Sequence, residues 1–196
     1  MYRVKPEVVV PFLKEVMIDS IPMKIDFPQI ENGIGQMISF YHTLNPEWEW
    51  LIREKMKTNF IYDETILKEE TGIYDNGGIL IHKENTIEDV FVLIHEFAHY
   101  LNQVYCFTTH ELAAEYFPIY LEMMFAQLNR QNFYIQSYYR QRRIDIMHDF
   151  IHEVLSILEK TKELKLEEQE VILDYMMYIW AMYDAEASKK ELQKKL

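Results

Sequence analysis

Cysteine is almost missing from this chain. Cys106 stands alone among 196 residues, so no intrachain disulfide can form, and the composition suits a reducing compartment. Glycine and proline are scarce, at 5 and 6. That leaves little material for long loops or many tight turns, and it points to helices. Positive charge is in the minority: 20 Lys and Arg face 32 Asp and Glu, for a formal net charge of −12. Such a chain repels the phosphates of nucleic acids and anionic membrane surfaces, so neither is an expected partner. No apolar run approaches the roughly 18 residues that span a bilayer. Met1–Glu7 also lacks the apolar centre of a secretory signal. The expectation is a cytoplasmic protein. What is plentiful is core material, with 49% hydrophobic and 14% aromatic residues, which argues for a folded chain over a disordered one.

Neither repeats nor linkers divide the sequence, so one domain over 1–196 is expected. Val8–Asp19 reads as a short helix or, given Val8-Val9-Val10, a strand. Pro22, Pro28 and Gly33-Ile34-Gly35 mark an irregular connection. Helical spacing follows from about Gly35 to Met56, with an interruption near Asn45-Pro46. Gly72–Ile81 carries two short strand patterns around Asn76-Gly77, a dipeptide that tolerates the positive φ of a tight hairpin turn. Thr86 reads as an N-cap with acidic residues after it. Ile87, Val90, Phe91, Ile94, Phe97, Ala98 and Leu101 then recur at helical spacing, which predicts a helix from about Ile87 to Tyr105. Thr108 and Glu111 have the spacing of a capping box for a next helix, kinked at Pro118. Further helices are expected over Gln131–Glu159 and Glu167–Leu192, with the charge-rich final residues fraying.

The chemistry is concentrated in His95-Glu96-Phe97-Ala98-His99. Histidines at i and i+4 lie one above the other on a helix, so both rings reach a single ion. Zinc takes imidazole nitrogen at about 2.0–2.1 Å and, in a catalytic site, keeps one position open. Glu96, one residue on from His95, flanks that position and can take a proton from water there. The rest of the helix is apolar on nearly every face, and a buried His-Glu-His group is costly unless paired or bound to metal. The bland alternative is a chance HExxH on an ordinary helix. His148 and His152 repeat the spacing with Asp149 in place of a glutamate, and read as an exposed or core-edge face. His42, His82 and His110 read as scaffold or surface residues.

A catalytic zinc needs a third protein ligand, and position 105 is Tyr105, where another zincin class has histidine. Glu111, Glu115 and Glu122 are the candidates. A helix that continues about six residues past His99 descends about 9 Å at 1.5 Å per residue. A turn near Cys106–Thr108 and an equal climb return to the level of His99 near Glu115. Glu111 falls short in that register and is engaged in the capping box, though it stays the second choice. Glu122 overshoots by nearly two turns.

Four segments carry a resemblance. They are Gly72-Ile73-Tyr74 with Ile79-Leu80-Ile81, then Asp89 to His99, then Ala114 to Glu122, then Tyr175-Met176-Met177-Tyr178-Ile179-Trp180. In that order they resemble the thimet oligopeptidase and oligoendopeptidase F family of zinc peptidases. The resemblance spans Gly72 to Asp184. It implies a mainly α, zincin-type catalytic core with a small β-hairpin before the metal helix. Residues 1–70 would then be an N-terminal extension and 71–196 the catalytic core. It also implies Glu115 as third zinc ligand, Glu122 as an outer partner that orients a ligand, and Tyr175 and Tyr178 as oxyanion donors. Family members are much longer, the gap from His99 to Glu115 is shorter here, and Pro118 replaces a family serine.

The expected activity is hydrolysis of oligopeptides with one zinc ion per chain and Glu96 as general base. Small regulatory proteases resembling the ImmA/IrrE group are the alternative enzyme. A non-catalytic, zinc-holding helical interaction protein is the alternative from another class.

Overall fold

The sequence signals translate into seven helices and one three-stranded sheet among the described residues. The computed structural model describes residues 5–16, 25–65, 71–107, 114–160 and 164–195, the side chains of 184–195 excepted. The chain is mainly helical, as expected. Among the described residues no helix is long and apolar enough to cross a membrane.

Helix α1 (Pro6–Val16) resolves the helix-or-strand choice at the N-terminus. It rests on α6 (Phe133–Lys160), and its Phe12 meets Trp180 and Tyr183 of α7 (Leu166–Lys195) at ring centroid distances of 6.3 and 5.7 Å. The expected Gly35–Met56 helix is two helices, α2 (Gly33–Leu44) and α3 (Pro46–Met56). Asn45 is extended between them, and its side chain accepts from the Glu47 N–H at 3.0 Å. Pro46 then occupies the first turn of α3, where its missing N–H has no intrahelical partner to lose.

Strands β2 (Gly72–Asp75) and β3 (Gly78–His82) form the predicted hairpin. Asn76 and Gly77 both take positive φ, at 47° and 74°, as a two-residue primed turn requires. A third strand, β1 (Phe60–Asp63), has no counterpart among the sequence signals. It pairs parallel to β3, so the sheet order is β1-β3-β2. This strand knits the stretch before residue 65 into the same sheet as the hairpin.

Helix α4 (Ile87–Tyr105) has the predicted limits and is the axis of the molecule. Its residues from Ile87 to Ala98 are almost all buried, enclosed by the sheet, α2, α5 (Tyr116–Leu128) and α6. Thr86 takes the N-cap position without a capping hydrogen bond. Asp89, in the first turn, instead ties down the loop before the helix, accepting from the Asn85 N–H at 2.9 Å, the Glu84 N–H at 3.1 Å and the Tyr62 hydroxyl. The helix stops at Cys106, which is left-handed (φ 52°) and exposed. Pro118 does not kink α5. It is the third residue of that helix, within the first turn, where no intrahelical hydrogen bond is lost. Thr108 and Glu111, the expected capping box, lie outside the described residues.

Candidate metal centre

Three side chains converge where α4 meets the start of α5. His95 Nε2 and His99 Nε2 face each other at 3.2 Å. Glu115, the residue before α5, brings Oε2 to 3.1 Å from His95 Nε2 and Oε1 to 3.4 Å from His99 Nε2. The ligand atoms lie within 4.8 Å of one another, so this group can hold a metal ion. A tetrahedral ion with bonds of about 2.0–2.1 Å separates its ligand atoms by about 3.3–3.4 Å. The two histidine nitrogens, 3.2 Å apart, come near that value, and each faces a different oxygen of the Glu115 carboxylate at 3.1 and 3.4 Å. All three residues sit deep: His95 is 5% exposed and Glu115 8%, and the His99 side chain 18%.

The residues fit an ion on two further observations. Glu115 Oε2 is buried and makes no hydrogen bond despite its closeness to His95, an orphaned acceptor aimed into the cluster. Charge points the same way. Glu96, Glu115 and Glu122 are buried carboxylates, at 7%, 8% and 1% exposure. Among the described residues the guanidinium bound to them is Arg142, through Glu122. The other positive charge they hold is a proton on His95, a place that a metal ion would take over.

The titration of these groups reflects the same imbalance. Burial opposes a charged His95 ring, but the close carboxylates of Glu115 and Glu122 outweigh it and raise its pKa to about 10. His99 moves the other way. Burial first, then the charge on His95, lowers it to about 4, which keeps it a neutral donor of a nitrogen lone pair. For Glu96, burial pushes the carboxyl up to about 7 against the pull of His95. Glu115 and Glu122 stay below the ordinary carboxylate range, because charged partners outweigh burial in both.

Each histidine is also held from outside. His95 Nδ1 hydrogen bonds Glu122 Oε1 at 2.7 Å, and the Tyr178 ring lies parallel to the His95 ring at 6.4 Å. The Tyr74 ring lies parallel to His99 at 6.3 Å, and its hydroxyl donates to Gln103. Tyr41, fully buried, donates to the Ile94 carbonyl at 2.7 Å and pins α2 to α4 one residue before His95.

Of the residues singled out in the sequence, His95, Glu96, His99, Glu115, Glu122 and Tyr178 are brought together. The Tyr178 hydroxyl is close enough to Glu115 and Glu96 for their charges to raise its pKa, after the larger effect of burial. Tyr175 packs on Phe150 at 4.7 Å between ring centroids, and Phe150 in turn meets Tyr178 at 5.3 Å. Glu111 lies outside the described residues. His148 and His152 sit on an exposed face of α6, with rings 4.3 Å apart. Arg142 is not among the residues the sequence singles out, although a signal exists. It follows Ile135 and Tyr138 at helical spacing, and a charged residue in that buried register calls for a buried partner.

The sheet edge beside the cluster is shaped by Gly72. A Cβ there would lie 2.4 Å from Val92 Cγ1 and 3.2 Å from Glu96 Oε1. Only glycine lets β2 pass this close to α4. The Gly72→Ala substitution should push the strand away and cost about 1–3 kcal/mol by overpacking, read as a lower denaturant midpoint. An unchanged midpoint would show that the strand gives way freely. The hairpin register also fixes which backbone groups face outward. Asp75, Ile73 and Thr71 exchange hydrogen bonds with Gly78, Leu80 and His82, so the N–H and C=O of Gly72 and Tyr74 point away from β3.

Elsewhere on the described surface, a groove of about 690 Å³ is lined by Asn32, Ser39, Phe40, Phe125, Leu128 and Asn132 among others. It has no titratable group and shares no residue with the cluster. In comparisons with known proteins, no family model, no curated protein and no solved structure matches the chain.

Proposed function

We propose that the chain is a zincin-type metallopeptidase that hydrolyses peptide bonds, with zinc held by His95, His99 and Glu115. The observation that carries the reading is the convergence of two histidine nitrogens, 3.2 Å apart, and the Glu115 carboxylate, whose ligand atoms all lie within 4.8 Å of one another and whose buried Oε2 lacks a hydrogen bond. Nitrogen and carboxylate donors in a tetrahedral frame favour zinc, and three protein ligands leave one position open, as catalysis needs and a structural zinc does not. When bound, the zinc supplies Lewis acidity toward the scissile carbonyl and toward water.

The chain's own groups do the rest. Glu96 takes the proton of the attacking water and passes it to the departing amine. With a pKa near 7 it can both accept and release a proton at neutral pH. Tyr178 offers a hydroxyl beside Glu115, in position to donate toward charge developing on the carbonyl oxygen. Burial and the charges of Glu115 and Glu96 raise its pKa, so it remains protonated and able to donate. Tyr175, one ring back, is proposed to act through its packing on Phe150. The outward groups of Gly72 and Tyr74 suit an extended peptide that adds to the β2 edge next to His99, which aligns the scissile bond along the sheet. This is the arrangement that the likeness to oligopeptidases leads one to expect, in a much shorter chain.

The test is hydrolysis of internally quenched peptides by the purified protein. Cleavage should be blocked by a chelator and restored by added zinc. A protein that carries a full zinc complement yet cleaves no peptide in a diverse set would favour the non-catalytic interaction protein.

A further inference from the structure

Behind His95 runs a chain of contacts that the proposed reaction does not use directly. His95 Nδ1 meets Glu122 Oε1 at 2.7 Å. Arg142 of α6 grips the same carboxylate from the other side, with Nε at 3.0 Å from Oε2 and an Nη at 3.3 Å from Oε1. Two nitrogens on two oxygens fix both the position and the rotation of a carboxylate, which a single contact does not. The Arg142 side chain is only 18% exposed and that of Glu122 only 1%. Stability alone is a weak reason for such a pair, because burying two charges costs about as much as their attraction returns. The free-energy gain must therefore lie in what the pair holds in place, and that is His95.

We infer that Arg142 is a positioning residue for the metal: by clamping Glu122 it fixes the His95 ring with Nδ1 turned to the carboxylate and Nε2 turned to the ion. The inference rests on the metal reading above. Without the clamp, the Glu122 carboxylate can rotate and withdraw from Nδ1, and His95 loses the acceptor that sets its orientation. Tyr138 and Glu88 also lie close enough to Arg142 for their charges to favour the charged guanidinium.

The experiment is zinc affinity by chelator competition on the metal-stripped full chain, for wild type, Arg142→Met, Glu122→Gln and the double variant. Removing an outer partner of a metal-bound histidine costs about 10–100-fold in affinity, and Arg142→Met should fall in that range. The double variant should bind no more weakly than Glu122→Gln alone, because both residues act along one path. Cobalt(II) loaded into Arg142→Met and Glu122→Gln should show the same altered visible spectrum, a signature that loss of a merely structural ion pair would not produce. Arg142→Lys, which keeps the charge but not the fork, should restore part of the affinity. If Arg142→Met fails to fold, Arg142→Lys carries the test through a severalfold weaker affinity than wild type. Wild-type affinity and spectrum in the folded Arg142 variant, or losses that multiply in the double variant, overturn the inference. A wild-type chain that takes up no zinc overturns the metal reading itself, which is a different result.

Discussion

Replacing Glu96 by Gln should leave zinc in the protein and lower peptide hydrolysis by about 10²–10⁴-fold, the usual contribution of a positioned general base. Gln matches the shape of the buried side chain, so the fall belongs to kcat and not to metal content. Glu96 is the suitable residue because its carboxyl is buried, close enough to His95 and Glu115 to feel their charges, and is not one of the converging ligand groups. Burial also brings its pKa to about 7. The same shift has a consequence for stability. An acid whose pKa is raised on folding binds more protons in the native state, so stability falls as pH rises from its ordinary value of 4.5 toward 7. The metal-free Glu96→Gln protein escapes that loss, and at pH 7–8 it should unfold no earlier than metal-free wild type. Hydrolysis that survives the substitution would remove Glu96 from the mechanism.

Stripping the metal should lower the unfolding temperature markedly. An ion that binds only the native state, at about a thousandfold excess over its Kd, contributes about 4 kcal/mol. In a chain of this size that is roughly 10 °C. The effect has a specific source here, since Glu96, Glu115 and Glu122 are buried together and the guanidinium paired with them among the described residues is Arg142. Without the ion, His95 carries a proton held by Glu115 and Glu122 as the partial substitute. Glu115→Gln should therefore abolish the response of the unfolding temperature to zinc while it relieves part of the charge crowding in the metal-free state. Scanning calorimetry with and without zinc reads both. An unfolding temperature indifferent to zinc would mean that the carboxylates are balanced in some other way.

Much of the site is legible in the amino-acid sequence because its signals are local. The apolar repeat from Ile87 to Leu101 marks α4 to its ends, and the i, i+4 histidines need only that helix to converge. Glu115 requires one more step, the geometry of an antiparallel return, and the structure sets its carboxylate against both histidines. Non-local features are not legible in this way. Phe60–Asp63 is a strand because it lies parallel to β3, and a parallel partner reached only after β2 has intervened leaves no turn signature in the sequence. Thr86 departs from its expected role for a different reason. Its hydroxyl turns to Asp89 Oδ1, 3.3 Å away, and not to a first-turn N–H, while the Asp89 carboxylate reaches back to the Glu84 and Asn85 N–H groups of the loop. Arg142 shows the remaining gap. It is separated from Glu122 by 20 residues, and only the packing of α6 on α5 reveals that the two meet.

Diffraction from crystals of the zinc-loaded protein, recorded on both sides of the zinc absorption edge, tests the central claim most directly. One anomalous peak per chain is expected, about 2.0–2.2 Å from His95 Nε2, His99 Nε2 and a Glu115 carboxylate oxygen, with a fourth position not taken by protein. A peak elsewhere, a fourth protein ligand, or a Glu115 carboxylate turned away from the histidines would contradict it.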